Sequence, residues 1–426
     1  MRAIIFCMKV IVLGAGLIGV ATAYYLWRDG HEVEVFDRND EAASETSYAN
    51  ACLVSASRAL PWPTPNIGKT IWRALTDPSA PMRIVKPLDP RLWRWGGEFV
   101  SYANEAQYDY LSKAKLEFTR FCQSELESTI AETGLDCGYR RDGLLYICRS
   151  EASLESARAR LKHCAKFGGE AKLLSRAEAI ALEPALSQTD FVGASFAPTD
   201  AQGDSRRFTR ALAAYLSERG VVFRYGAEIR ATLSVIDRGY GVFANLEPLQ
   251  ADKFVVALGP ASYHFAKQLS LKLPIYPVKG FSLTVPIKDP SKAPSRGGIC
   301  EDSLVAFCPL GGFMRLTTGA LFTGDDTTYH ASNFEAHHDS FESLFPGALD
   351  WKNSAAIEPW ACLRPMTPSS LPILTTQVNH FGDGSLIWNC GQGHIGWTMG
   401  CGSARVAADL VAERDPSFPL NAMQKC

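Results

Sequence analysis

The chain of 426 residues lacks several features that would assign its class at once. It has no excess of one charge: 43 Lys and Arg face 45 Asp and Glu, a net charge of -2, so there is no basic footprint for nucleic acid. It has no unbroken apolar run of the roughly 20 residues that a membrane helix needs. The N-terminal stretch up to Trp27 is broken by Lys9 and by Gly14, Gly16 and Gly19, and no small-residue cleavage site precedes the charges from Arg28, which argues against a signal peptide. No repeat and no low-complexity tract is visible. Twelve cysteines are present, yet none forms a CxxC pair and none has zinc-site spacing with histidine. That density is below a disulfide scaffold, so they read as reduced thiols in a cytoplasmic protein. Asp325, Asp326, His330, His337 and His338 lack the i, i+4 pairing of a helical metal site and read as a solvated loop, so no metal is expected. What remains, 46% apolar and 21% charged, is an ordinary globular composition with length for two or three domains, or for one large α/β core with an insertion.

What is present is more specific. Val10 to Leu13 is a continuous apolar run, as expected of a parallel strand buried on both faces. Gly14-Ala15-Gly16-Leu17-Ile18-Gly19 follows, then a helical stretch to Arg28 closed by Gly30, then a second strand, His31 to Phe36, ending in Asp37. An acid 18 residues past the last glycine completes a dinucleotide-binding fingerprint. Gly14 allows the tight turn, Gly16 lets backbone N–H groups approach a pyrophosphate, and Gly19 lets helix and strand pack closely. The helix N-terminus favours phosphate charge. Asp37 accepts from a ribose hydroxyl and disfavours a 2′-phosphate, which leaves FAD or NAD. Further along, helices are expected over Asn104–Glu132 and Glu151–Phe167, from a cap at Asp204 or Ser205 to Gly220, and over a short stretch opened by the capping box Ser175–Glu178. Val221–Tyr225 and Phe254–Leu258 read as strands, which makes the alternation α/β. Strand-like runs between about 270 and 350 suggest an antiparallel second domain. Residues 58–96 read as an aromatic loop packed on the core, with a lid or a membrane-touching surface as the alternative.

Four more stretches carry a resemblance. Glu45-Thr46-Ser47-Tyr48-Ala49-Asn50-Ala51, Ile275-Tyr276-Pro277-Val278-Lys279-Gly280-Phe281-Ser282-Leu283-Thr284, Leu363-Arg364-Pro365-Met366-Thr367-Pro368 and Gly396-Trp397-Thr398-Met399 resemble bacterial D-amino acid dehydrogenases of the small-subunit type, within the wider group of FAD-dependent D-amino acid, glycine and sarcosine oxidases. The resemblance implies a discontinuous Rossmann-like FAD-binding domain (8–60, 170–265 and 355–426) and an α+β substrate domain on an antiparallel sheet (61–169 and 266–354). It implies non-covalent FAD. Gly14, Ala15, Gly16, Leu17, Ile18 and Gly19 would serve the pyrophosphate, and Asp37 and Arg38 the adenosine. Thr46, Ser47, Asn50 and Ala51 would line the phosphates and flavin. Ile229 would meet the adenine, and Ala257 and Gly259 would pass close to the cofactor. Gly391, Gly393, His394, Ile395, Gly396, Trp397 and Thr398 would put N–H groups at the flavin N1/O2 edge, where reduced flavin carries negative charge.

The resemblance implies that Arg364, in the Leu-Arg-Pro stretch, clamps the substrate carboxylate, a planar acceptor that a planar guanidinium suits. Tyr276 and Lys279 are candidates to reach substrate or flavin, and Arg315 is a second cationic candidate. The implied reaction oxidises a D-amino acid to an imino acid, which water hydrolyses to a 2-oxo acid and ammonia. The Cα hydrogen passes as hydride to flavin N5, and the clamp and flavin stacking position it with no protein base required. The implied electron acceptor is a quinone, with a peripheral place on the cytoplasmic face of the inner membrane as a corollary. Departures from the family pattern bear on the substrate. Gly391-Gln392-Gly393-His394-Ile395-Gly396 stands where relatives have Gly-His-Gly-Thr before Leu-Gly-Trp-Thr, Cys52 stands where glycine is usual, and Leu304 lies near a usual tyrosine. A secondary amine such as sarcosine, proline or hydroxyproline, or glycine itself, is the alternative substrate. A non-catalytic FAD-bound subunit is the alternative outside enzyme chemistry. Cys52, Cys362, Cys390 and Cys401 fall in or beside flavin-facing stretches.

Overall fold

The computed structural model describes residues 7–78, 80–234, 239–377 and 385–423. Lys9–Leu13 lies inside a six-stranded sheet, parallel to Glu32–Phe36 on one side and Lys253–Val256 on the other. The order across the sheet is Ile373–Gln377, Leu386–Cys390, Lys253–Val256, Lys9–Leu13, Glu32–Phe36 and Val222–Arg224, and only the first of these runs antiparallel to its neighbour. Val10 to Leu13 are buried because both faces are covered. Helices Leu17–Arg28, Ser205–Ser217 and Gly396–Val411 join in one core against the first face. A small antiparallel sheet, Ile229–Ser234 with Gly239–Ala244, and helix Ser262–Gln268 close the second. Burying one such Val, Leu or Ile side chain contributes about 1.5–3 kcal/mol.

The second sheet has nine strands and is mixed. Its main path runs from Glu358–Met366 through Tyr276–Pro286, Phe313–Phe322, Val305–Leu310, Gly298–Cys300 and Leu144–Cys148 to Gly193–Ala197 and Lys172–Ser175. Strands 172–175, 193–197 and 358–366 therefore pair in this sheet, although the sequence groups 170–265 and 355–426 with the first. Conversely, helix Glu105–Thr133 packs on Gly396–Val411, beside the parallel sheet. Along the described strands the chain passes between the two sheets four times, and the second and fourth crossings come after strands 193–197 and 358–366 rather than at 170 and 355.

Residues 58–96 differ from a loop. They contain helix Ile67–Thr76, and Asp89 caps helix Pro90–Ser101 by accepting from the Arg91 N–H at 2.9 Å, with Pro90 at the first helical position. The inner sides of these helices join a cluster with Tyr276, Val278, Phe322 and Met366.

Candidate active site

A cavity lies between the sheets, at the C-terminal ends of the parallel strands. Gly14, Gly16, Asp37, Ala257, Leu258 and Gln392, each just past a strand end, line one wall. Gly280, Phe281, Thr317, Cys362 and Arg364 of the mixed sheet line the other. This is the usual place for a ligand in an open α/β sheet.

One end is built from the glycine turn and the acid. Gly14 has φ of 108°, and a Cβ there would stand 2.5 Å from the Ala257 carbonyl oxygen. A Cβ on Gly19 would overlap the Gly14 carbonyl, so helix and strand meet as closely as the sequence requires. The Asp37 carboxylate accepts from the Ala15 N–H at 2.6 Å, and from the backbone and side-chain N–H groups of Asn39 at 2.8 and 2.9 Å. Ser47 Oγ accepts from the Leu17 N–H at 3.0 Å, and Thr46 Oγ1 donates to the Leu363 carbonyl at 2.8 Å. Arg38 pairs with Glu45 at 2.6 Å, and Arg230 with Glu228 at 3.0 Å.

The other end is different in kind. Arg364 donates from Nη1 to the Gly319 carbonyl at 2.6 Å. Burial pulls its guanidinium below the ordinary arginine value, and among the described residues no carboxylate compensates it. Its place depends on Gly280 in the paired strand, where a Cβ would stand inside the guanidinium. His394 lines the cavity beside it, in the turn Gly393–Ile395 that opens the last helix. Burial first, then Lys115 and Arg364, hold its imidazole well below its usual value. Burial pushes the Cys362 thiol up, so it stays protonated.

The cavity brings together most of the residues expected from sequence: Gly14, Gly16, Leu17, Ile18, Asp37, Arg38, Thr46, Ser47, Asn50, Ala51, Ile229, Ala257, Gly259, Arg364, Gly393, His394, Ile395, Gly396 and Trp397. Ala15 and Gly19 act behind the wall, as above. Gly391 holds the preceding turn at φ of 79°, and Thr398 is buried with Oγ1 accepting from the Ser55 N–H at 3.0 Å. Tyr276 and Lys279 stand outside. Tyr276 lies under Trp95 and Phe322 and donates to Asp89 at 2.9 Å. Lys279 is buried, with Nζ 2.8 Å from Asp326. Arg315 bonds Thr284 Oγ1 at 2.9 Å and the Asn50 carbonyl at 3.3 Å, from beneath the wall. Of the four cysteines, Cys362 lines the cavity, while Cys52, Cys390 and Cys401 are buried in the packing and do not line it. Sequence reasoning missed Gly280, Phe281, Thr317 and Gln392 as lining residues. Gly280 and Phe281 sat inside a stretch already singled out, but only the strand pairing with 358–366 reveals their use.

These residues fit a bound dinucleotide. In the glycine turn neither Gly14 nor Gly19 admits a Cβ. Helices Leu17–Arg28 and Gly396–Val411 carry no acidic residue in the first turn, and the N-cap residue of neither supplies a side-chain cap, so both N-termini suit negative charge. Residues 9–410 match the family model of FAD-dependent oxidoreductases of the DAO type, and the chain belongs to that family. Within it, the chain is 38% identical to D-amino acid dehydrogenase 2 of Mesorhizobium japonicum over 414 residues, 96% of this chain and 98% of that one. It is 35% identical to D-amino acid dehydrogenase of Granulibacter bethesdensis, covering 96% and 97%. Its fold is that of solved structures described as L-proline dehydrogenase from P. horikoshii (TM-score 0.73, 16% identity, 97% and 96% covered) and glycine oxidase from Geobacillus kaustophilus (TM-score 0.73, 20% identity, 97% and 96% covered). Among the described residues there is no metal-binding group of three or more His, Cys, Asp or Glu, and no helix long and apolar enough to cross a membrane.

Proposed function

We propose that the chain oxidises D-amino acids to imino acids, which water hydrolyses to 2-oxo acids and ammonia. The observation that carries this reading is the uncompensated Arg364 at one end of a cofactor cavity, in a chain whose relatives are named for that reaction. A guanidinium held in a protein wall without a carboxylate has a place for a substrate's carboxylate. Bound FAD supplies the acceptor for the hydrogen and the two electrons that leave Cα. Gly14, Gly16 and the N–H groups of the first helix would hold its pyrophosphate, and Asp37 its adenosine ribose. The turn at Gly393–Ile395 and the helix it opens would hold the ring system. Arg364, fixed by the Gly319 carbonyl and by the absence of a side chain at Gly280, orients the substrate.

The test is an anaerobic panel on the purified holoenzyme. D-amino acids bleach the flavin absorption and their L-enantiomers do not. Bleaching by sarcosine, proline or glycine alone replaces this reading with the secondary-amine or glycine one, and an unbleached flavin across the panel rejects both.

The electron acceptor we assign is a membrane quinone, met at a membrane surface. Trp72 is 70% exposed and Leu88 90%, and Leu75, Val85, Trp93 and Val100 are exposed beside them. The helices carry Lys69, Arg73 and Arg94 at the surface, and the segment between them carries Lys86. Apolar side chains among basic ones suit an anionic lipid surface. Flotation with vesicles containing anionic lipid, compared with neutral vesicles and with a Trp72→Ser/Trp93→Ser variant, checks this. A protein that stays in solution with all of them contradicts it.

A further inference from the structure

The oxidation just proposed needs a neutral amine, because an ammonium has no lone pair with which to form the C=N bond. At neutral pH the substrate arrives as an ammonium. Something must take one proton, and the sequence offered no base. The cavity narrows the choice. Its acids are Asp37, Glu45 and Glu228: Asp37 is engaged with N–H groups, Glu228 is ion-paired with Arg230, and Glu45, which also faces Cys362, is ion-paired with Arg38. His264 lines it too, but faces Asp325 at 3.3 Å. At the Arg364 end the titratable groups are Cys362, Arg364 and His394. The guanidinium has no lone pair to offer, and burial keeps the thiol protonated.

His394 is placed to serve. Its turn lies on the strand of Arg364: a Cβ on Gly393 would stand 3.1 Å from Met366 Sδ and 4.0 Å from the Pro365 carbonyl oxygen. Its ring rests on Trp62, with centroids 5.1 Å apart. Among the described residues neither ring nitrogen is tied up by a hydrogen bond. It is also a point where this chain departs from the Gly-His-Gly-Thr pattern.

We propose that His394 accepts a proton from the substrate's ammonium once Arg364 has taken the carboxylate. This rests on the D-amino acid reading. An N–H bond breaks and its proton moves to an imidazole nitrogen. The pair left on the substrate nitrogen then forms the C=N bond as the Cα–H bond breaks with its own electron pair, which FAD accepts. The basic groups facing the ring are Lys115, from helix Glu105–Thr133, and Arg364. Burial and Arg364 keep the imidazole neutral before substrate arrives, and Lys115, which burial brings down to about 7, adds its charge only toward acid pH. The incoming carboxylate offsets Arg364, so proton affinity rises when a proton must be taken. Lys115 is a positioning residue: it is buried, donates to the Leu60 carbonyl at 3.1 Å, and lies behind the wall.

The experiment is anaerobic stopped-flow bleaching by D-alanine across pH 4–10, with propionate as an amine-free ligand read by its shift of the flavin spectrum. His394→Gln slows bleaching at pH 7 by about 10²-fold. The deficit closes as pH rises and free amine becomes abundant, and propionate affinity stays unchanged because Arg364 is intact. Lys115→Met moves the acid limb of the wild-type profile to higher pH. Wild-type-like bleaching in His394→Gln overturns the proposal. So does slowing of equal size at every pH, which marks a packing role, and so does an unmoved limb in Lys115→Met. His394→Thr is the second variant if the glutamine form loses flavin. Wild-type protein that no D-amino acid bleaches rejects the reaction itself, a separate result.

Discussion

The two ends of the cavity follow opposite electrostatic rules. At the adenosine end the charged groups are answered by protein: Asp37 by three N–H groups, Arg38 by Glu45, Arg230 by Glu228. At the far end, among the described residues, Arg364 has a carbonyl and no carboxylate, and His394 rests on a ring, faces Lys115 and Arg364, and makes no hydrogen bond. Paired charges fix a wall. An uncompensated one marks where a ligand supplies the missing charge, because leaving it buried otherwise costs several kcal/mol. The comparison locates substrate apart from cofactor without either being seen.

Removing the unanswered charge gives the largest effect. Arg364→Ala lowers kcat/KM for D-amino acids by about 10²–10³-fold, as expected when one partner of a buried charge pair is truncated (about 2–5 kcal/mol). Flavin content stays at the wild-type level, since the adenosine end is untouched. Gly280→Ala keeps the charge and spoils its position. Displacing the guanidinium by about 1 Å costs up to about 10²-fold in the same assay, with flavin retained. Asp37→Ala breaks the other end: the FAD dissociation constant rises by about 10–10²-fold, from loss of a hydrogen bond to a charged group worth about 1.5–3 kcal/mol, while kcat of FAD-saturated enzyme is unchanged. If Asp37→Ala altered kcat and not FAD retention, the division between the ends would fail.

The smallest effect is on stability. Burial pushes Lys115 down to about 7. An unfolded lysine titrates near 10.4, so between these values the unfolded chain holds a proton that the native one releases, and native stability rises with pH from about 7 to about 10. Lys115→Met removes that penalty. Its Tm exceeds wild type by a few degrees at pH 7, and the gain shrinks toward pH 10, in thermal melts of the holoenzyme.

The legible part of the sequence was local. The first strand, the glycine turn, the helix and Asp37 sit within 29 residues, and each obeys a short-range rule, so the cofactor end could be read almost residue by residue. Arg364 came from resemblance, and nothing in its neighbours announces that it faces a cavity. Tyr276 and Lys279 belong to the same recognisable strand, yet Tyr276 is covered by helix Pro90–Ser101 and Lys279 faces Asp326. Which side of a strand meets the cavity depends on its pairing with strand 358–366, a contact between segments about 80 residues apart. The surface helices at 67–76 and 90–101 were read as loop because their prolines and tryptophans hide the period. Pro90 in fact starts a helix.

The most direct test is an anaerobic bleaching titration with a D-amino acid and with its carboxamide, on wild-type and Arg364→Ala holoenzymes. The wild type requires far less of the acid than of the amide, and Arg364→Ala, with flavin still bound, loses that preference. Equal response of the wild type to acid and amide, or a preference that survives in Arg364→Ala, would contradict the account.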